Sequence, residues 1–100
     1  MAVLLIAKFP GDPEVLKKAY DQADSDLAAK FGTRMPPGSL HHVGASAPDG
    51  FYVVDVWESE AALRGMLESP AFTETIIAAG FPPEQAEIQV LPVHAVLTAT

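Results

Sequence analysis

The chain contains no cysteine, which excludes disulfides, thiolate metal sites and a cysteine nucleophile. Basic residues are scarce: six Lys and Arg stand against 13 Asp and Glu, for a formal net charge of −7 at pH 7. Nucleic acids and anionic membranes both require a basic footprint, so neither is an expected partner. Long hydrophobic runs are also missing. The N-terminal run covers residues 2–7, stops at Lys8 and has no basic region before it. A spanning helix needs about 20 apolar residues, and a signal peptide needs a charged start, so a cytoplasmic location is expected. Nor is there a phosphate-cradling glycine-rich motif, a serine nucleophile elbow or a dinucleotide-binding fingerprint. The histidines, at 41, 42 and 94, lack the local spacing of a metal site. No metal and no cofactor is expected.

What is present describes a small globular unit. Of 100 residues, 49% are apolar and 19% charged, which suits a single packed domain over residues 1–100. A domain of this size buries a modest core, so a dimer interface would add to its stability.

Residues 2–9 form a near-continuous apolar run that reads as a central strand, and Pro10-Gly11 breaks it. Asp12 then stands as an N-cap with Pro13 at the first helical position. Leu16, Tyr20, Ala23 and Leu27 recur at helical spacing until Gly32. Pro36, Pro37 and Gly38 make a loop. Residues 40–46 read as an edge strand, joined by the turn Ala47-Pro48-Asp49-Gly50 to a third strand over residues 51–57. Ser59 caps a second helix carrying Leu63, Met66 and Leu67, which breaks and restarts at Ser69-Pro70. Phe72, Ile76 and Ile77 continue its apolar face until Gly80. Residues 86–97 read as the last strand, interrupted by Pro92.

The order β-α-β-β-α-β predicts an α+β, ferredoxin-like sandwich with an antiparallel sheet. The third strand sharpens this. Phe51, Val53, Asp55 and Trp57 share one face, and Tyr52, Val54 and Val56 share the other. Both faces are mostly apolar, so helices must cover one and another surface the other. Two such sheets packed face to face satisfy that need, and a homodimer is expected.

The strand Val53-Val54-Asp55-Val56-Trp57-Glu58-Ser59, the helix after it with its kink at Glu68-Ser69-Pro70, and the closing Pro92-Val93-His94 resemble the dimeric α+β barrel superfamily. Within it, the chain is most similar to antibiotic biosynthesis monooxygenase-type domains. The resemblance spans the whole chain in element order, with its specific part at Val56-Trp57-Glu58-Ser59. It implies a dimeric α+β barrel with a ligand cavity in each protomer, between sheet and helices. It also implies an activity among cofactor-independent quinone-forming oxygenases, haem-degrading monooxygenases or proteins without known chemistry. Haem-degrading members carry tryptophan where this chain has Met66, histidine where it has Ile76 and asparagine near Ala7 or Lys8. Quinone-forming members carry asparagine at the position of Val53 and tyrosine at that of Leu63. Of these positions and the strand tryptophan, only Trp57 matches.

Several residues are candidates for a site. Asp55 lies on an apolar strand, where a carboxylate needs a partner or a raised pKa. It could act as a general base, or pair with Arg34, Arg64 or a histidine at the dimer interface. His41 and His42 are neighbours on a strand and point to opposite faces, so only one can serve as a cavity acid–base group. Trp57 could line the cavity or simply pack the corner between strand and helix. Tyr20, Met66, Phe72 and His94 are candidate cavity-lining residues, each with packing or solvation as its plain alternative. Two functions stand side by side. One is a cofactor-independent monooxygenase, or an isomerase or cyclase, acting on an aromatic or polyketide-like substrate. The other is a non-catalytic binding or accessory protein on the same fold.

Overall fold

The computed structural model describes every residue except Arg34 and Thr100, and of Pro83 the backbone alone. Strand β1 (Val3–Pro10) leads to helix α1 (Pro13–Phe31), then to β2 (Ser39–Ala47) and β3 (Gly50–Trp57). Helices α2 (Glu60–Leu67) and α3 (Pro70–Ala79), a 3-10 turn (Pro83–Gln85) and β4 (Glu87–Pro92) complete the order. The sheet is antiparallel throughout and runs β2-β3-β1-β4, so the most apolar strands, β1 and β3, take the centre. This is the α+β, ferredoxin-like fold that the element order predicted.

Local chemistry starts and stops the helices where expected. The Asp12 carboxylate accepts hydrogen bonds from the Glu14 N–H (2.9 Å) and the Val15 N–H (3.4 Å), with Pro13 opening α1. Gly32 ends α1 in the left-handed region at φ 72°, a conformation only glycine takes without cost. The Ser59 hydroxyl accepts from the Ala62 N–H and that of Ser69 from the Phe72 N–H, each opening its own helix. The break between α2 and α3 is therefore two capped helices rather than one bent rod.

Alternation along the central strands sorts the layers. Val3, Leu5, Ala7, Phe51, Asp55 and Trp57 are buried, and this face carries the helices. Beneath α1, Leu16, Ala19 and Ala23 pack with Phe51 and Phe81. At the other end, Val3, Leu5 and Trp57 pack with Leu63 of α2. The opposite face presents half-buried Leu4, Ile6, Val54 and Val56, with Val43 and Leu91 exposed beside them. Among the described residues no helix is long and apolar enough to cross a membrane.

The closing strand is shorter than the expected span of residues 86–97. It ends at Pro92, the residue paired with Val3, on the edge of the sheet where a proline is tolerated. The Val93 N–H still bonds the Ala2 carbonyl at 3.0 Å, and residues 94–99 run on outside regular structure.

Leu63 is 1% exposed and wedged against Trp57. Leu63→Ala should cost about 2–5 kcal/mol in urea unfolding, since a buried leucine leaves a cavity behind.

Candidate active site

The hairpin turn decides which residues meet. Pro48 and Asp49 form a two-residue loop between paired Ala47 and Gly50. Counting back along β2 and forward along β3 from that pair brings His42 opposite Asp55 and His41 opposite Val56. His42 therefore lies on the helix-covered face with Asp55, and His41 lies on the open one. Leu40 is the extra residue of a bulge, so Ser39 still pairs with Trp57 beyond it.

Asp55 is a carboxylate with a side chain only 6% exposed, and both its oxygens are engaged. Oδ1 lies 2.6 Å from His42 Nδ1, and Oδ2 accepts the indole N–H of Trp57 at 3.3 Å. The other ring nitrogen of His42, Nε2, lies 2.6 Å from Tyr20 Oη, contributed by α1. Four residues from three elements thus form one chain, Trp57–Asp55–His42–Tyr20. With Asp55 ionised, Nδ1 carries the proton that bonds it, and Nε2 accepts the Tyr20 hydroxyl proton. The Tyr20 and His42 rings lie nearly parallel, 10° apart with centroids at 5.8 Å.

Gly44 makes room for this arrangement. It is the next residue of β2 on the same face as His42, and the Tyr20 ring passes over it. A Cβ there would stand 3.0 Å from Tyr20 Cζ and 3.2 Å from Phe51 Cζ, tighter than side chains normally pack.

The hydrogen bond that His42 makes to the Asp55 carboxylate is the main cause that raises the His42 pKa above its ordinary value. Partial burial opposes the rise, while the negative charges of Asp55 and Asp24 add to it. The imidazolium is thus stabilised by a fixed carboxylate, the usual means of making a histidine a better base near neutral pH.

The chain opens on a cavity of about 700 Å³ between the sheet and the helices. Its walls are largely apolar, with Leu5, Phe9, Met66, Phe72, Ile76 and Phe81 among them. Tyr20, His42, Asp55 and Trp57 also line it, and Asp24, Thr33, Ser39 and Ser69 supply further polar atoms. Among the described residues, no three His, Asp or Glu side chains converge as metal ligands would.

The sequence candidates separate accordingly. Asp55, His42, Trp57 and Tyr20 come together, and Met66 and Phe72 line the same cavity. Trp57 packs against Leu63 in the core at 1% exposure, lines the cavity and also holds Asp55, a contact not expected of it. His41 is exposed on the other face. His94, expected to line the cavity, lies exposed beyond the end of β4 at Pro92 and is not among the residues of this cavity's wall. Asp55 does pair with a histidine, but with His42 across the hairpin of the same chain rather than at an interface. Arg64 instead faces Glu60 at 3.5 Å, and Arg34 lies outside the described residues. Gly44 escaped sequence reasoning, although hairpin pairing places it one step from His42 on the shared face.

No protein-family model matches the chain, and no curated protein matches it. Solved structures do. SnoaB, a cofactor-independent oxygenase from Streptomyces nogalater, aligns over 98% of both chains with a TM-score of 0.68 at 17% identity. Rv0793 from Mycobacterium tuberculosis aligns over 98% of this chain and 100% of its own, with a TM-score of 0.70 and 17% identity. A Caulobacter crescentus protein, a candidate antibiotic biosynthesis monooxygenase, covers 94% of this chain and 91% of its own, at 0.70 and 19%. The chain therefore has the fold of antibiotic biosynthesis monooxygenase-type proteins. Identities this low speak to the fold alone.

The raised His42 pKa has a consequence for stability. A group whose folded pKa exceeds its unfolded value of about 6.5 stabilises fully below that value and loses the contribution as pH rises through the folded pKa. His42 should titrate by NMR above the ordinary histidine range, and Asp55→Asn should return it toward that range. The loss of stability on raising pH above about 6.5 should be smaller in Asp55→Asn than in the wild type.

Proposed function

We propose that this protein binds a small, flat, mostly apolar molecule in its cavity and acts on it by moving a proton. The reaction class is a cofactor-independent monooxygenation, or an isomerisation or cyclisation, of an aromatic or polyketide-like substrate. The observation that carries this reading is the Asp55–His42–Tyr20 hydrogen-bond chain opening on an apolar cavity. A cavity with apolar walls and a few convergent polar groups is the usual form of a small-molecule site. Proton transfer from a phenol or an enolisable ketone is the step shared by these reactions, and it needs a polarised base of this kind. In the oxygenase version, the resulting phenolate or enolate would add molecular oxygen at carbon to give a peroxide, and loss of water from it would leave a new carbonyl, with oxygen as the oxidant.

The likeness to SnoaB, a cofactor-independent oxygenase, supports the reading at the level of fold. A specific observation favours the second reading, a non-catalytic binding or accessory protein. Val53 and Leu63 stand where quinone-forming oxygenases are expected to carry asparagine and tyrosine, and Leu63 is buried against Trp57.

The proposed assembly is a homodimer joined through the open sheet face. The half-buried Leu4, Ile6, Val54 and Val56 support it, because a contiguous apolar face on a small domain marks an interaction surface. Val54→Glu would place a charge at its centre. The variant should run as a monomer in light scattering, where the wild type has twice the mass. A monomeric wild type would overturn this assembly.

The function is tested through the single tryptophan. Polycyclic phenols and quinones, with haem as a contrast, are titrated while Trp57 fluorescence is followed, and binders then enter oxygen-uptake and product assays. Saturable quenching by phenols or quinones and turnover are expected. Asp55→Asn should lower turnover by about 10²–10⁴, the usual worth of acid–base catalysis, with the dimer intact. Quenching without turnover of any ligand supports the accessory reading, and dissociation of the dimer in Asp55→Asn makes Asp55 an interface residue.

A further inference from the structure

Strand register lines up the smallest side chains of the cavity floor. Ala7 of β1 pairs with Val53 on one side and with Ile88 on the other, and Val53 pairs with Gly44. Paired residues point to the same face of a sheet, so this row crosses all four strands beneath the helices. The neighbouring rows lie about 6.8 Å to either side, and they carry Leu5 and Asp55 in one and Phe9 and Phe51 in the other. The floor is therefore lowest along Val53, Ala7 and Ile88. The Tyr20 ring closes its β2 end by lying over Gly44, and Ile88 is half-exposed at the β4 end.

Ala7 also marks the seam between the two packed clusters. Leu5 belongs to the cluster of Trp57 and Leu63, whereas Phe9 packs against the cluster beneath α1, with its ring 4.8 Å from that of Phe81. Ala7 is buried, belongs to neither cluster and lines the cavity between them. Polarity is unevenly spread over the same floor. His42 and Asp55 lie on β2 and β3, while β1 and β4 contribute Leu5, Ala7, Phe9 and Ile88.

We infer that Ala7 is the residue that determines how long a molecule the cavity admits. The polar edge of the ligand rests on the β2–β3 side, and its flat apolar body crosses β1 over the Ala7 methyl. The inference rests on the proposed small-molecule cavity and adds to it a specificity-determining residue and a direction for the ligand. Neighbouring strands are about 4.8 Å apart, so a single ring held beside His42 and Asp55 ends short of the trench at Ala7. Each further fused ring carries the body deeper over it. A larger side chain at position 7 would take that space and bridge the two clusters, so its penalty falls on the longer ligands.

The test joins one polar head to three bodies. Catechol, 2,3-dihydroxynaphthalene and 2,3-dihydroxyanthraquinone carry the same pair of adjacent hydroxyls on one, two and three fused rings. Each is titrated by calorimetry under nitrogen, so that no oxygenation follows binding. Ala7→Leu should leave catechol within about threefold of its wild-type affinity and weaken the three-ring ligand about tenfold or more, with the naphthalene between them. Ala7→Val is a smaller step in a residue suited to strands, and it should give the same order with smaller losses. It decides the matter if leucine prevents folding. The urea midpoint of Ala7→Val should equal or exceed that of the wild type, because its added carbons enter free space, whereas overpacking a filled core lowers stability. An equal penalty for all three ligands, or none for any, overturns the role of Ala7 and leaves the cavity reading standing. A lowered midpoint in Ala7→Val does the same. A wild type that binds none of the three overturns both.

Discussion

A carboxylate buried in an apolar strand is the constraint around which this protein is arranged. Asp55 sits on a central strand with 6% of its side chain exposed, where an unpaired charge would cost several kcal/mol. The fold meets that cost with directed hydrogen bonds on both oxygens. One comes from the residue directly across the hairpin and the other from the tryptophan two positions along the same strand. Each partner brings a further commitment. His42 ties the edge strand to α1 through Tyr20, and Trp57 ties the end of the sheet to α2 through Leu63. Loss of the carboxylate would therefore be felt at both ends of the helix layer.

The interior is divided between packing and space. One cluster closes the sheet against α1 and a second closes it against α2, and the cavity between them is walled by side chains of both layers. Small residues keep it open from below. Ala7 faces it from β1, and Gly44 leaves β2 flat enough for the Tyr20 ring. A single core of the same composition would have buried more apolar area and been more stable. Apolar walls with a few convergent polar groups are instead the usual form of a small-molecule site.

The polar groups of this site come from different positions than those expected from the monooxygenase resemblance. Its oxygenase asparagine and tyrosine would fall at Val53 and Leu63, on β3 and α2. Here the hydrogen-bonded polar groups are drawn from α1, β2 and β3. The fold shared with SnoaB and similar structures does not dictate which elements supply them. Function follows the site rather than the fold.

Much of this was legible in the residues alone. Asp12, Ser59 and Ser69 announce helix starts because their side chains satisfy backbone donors within three residues. Gly32 and Gly80 announce ends for a similarly local reason. Pro92 marks the last strand as an edge strand, because an edge tolerates its missing N–H, whereas the strand's end at that residue was not legible. The pairing of His42 with Asp55 was also within reach, since a two-residue turn at Pro48-Asp49 dictates it. The identity of Asp55 as a buried group in need of a partner followed from its apolar neighbours. Three things were decided only in three dimensions. Tyr20 lies 22 residues from His42, and nothing local brings a helix over one particular strand. The helix layer could have covered either face of an evenly apolar strand, and packing of Leu16, Leu63 and Phe81 made the choice. The cavity exists because two core clusters fail to merge. Chain-local chemistry sets elements and their ends, whereas the space between them depends on how every side chain in both layers fits at once.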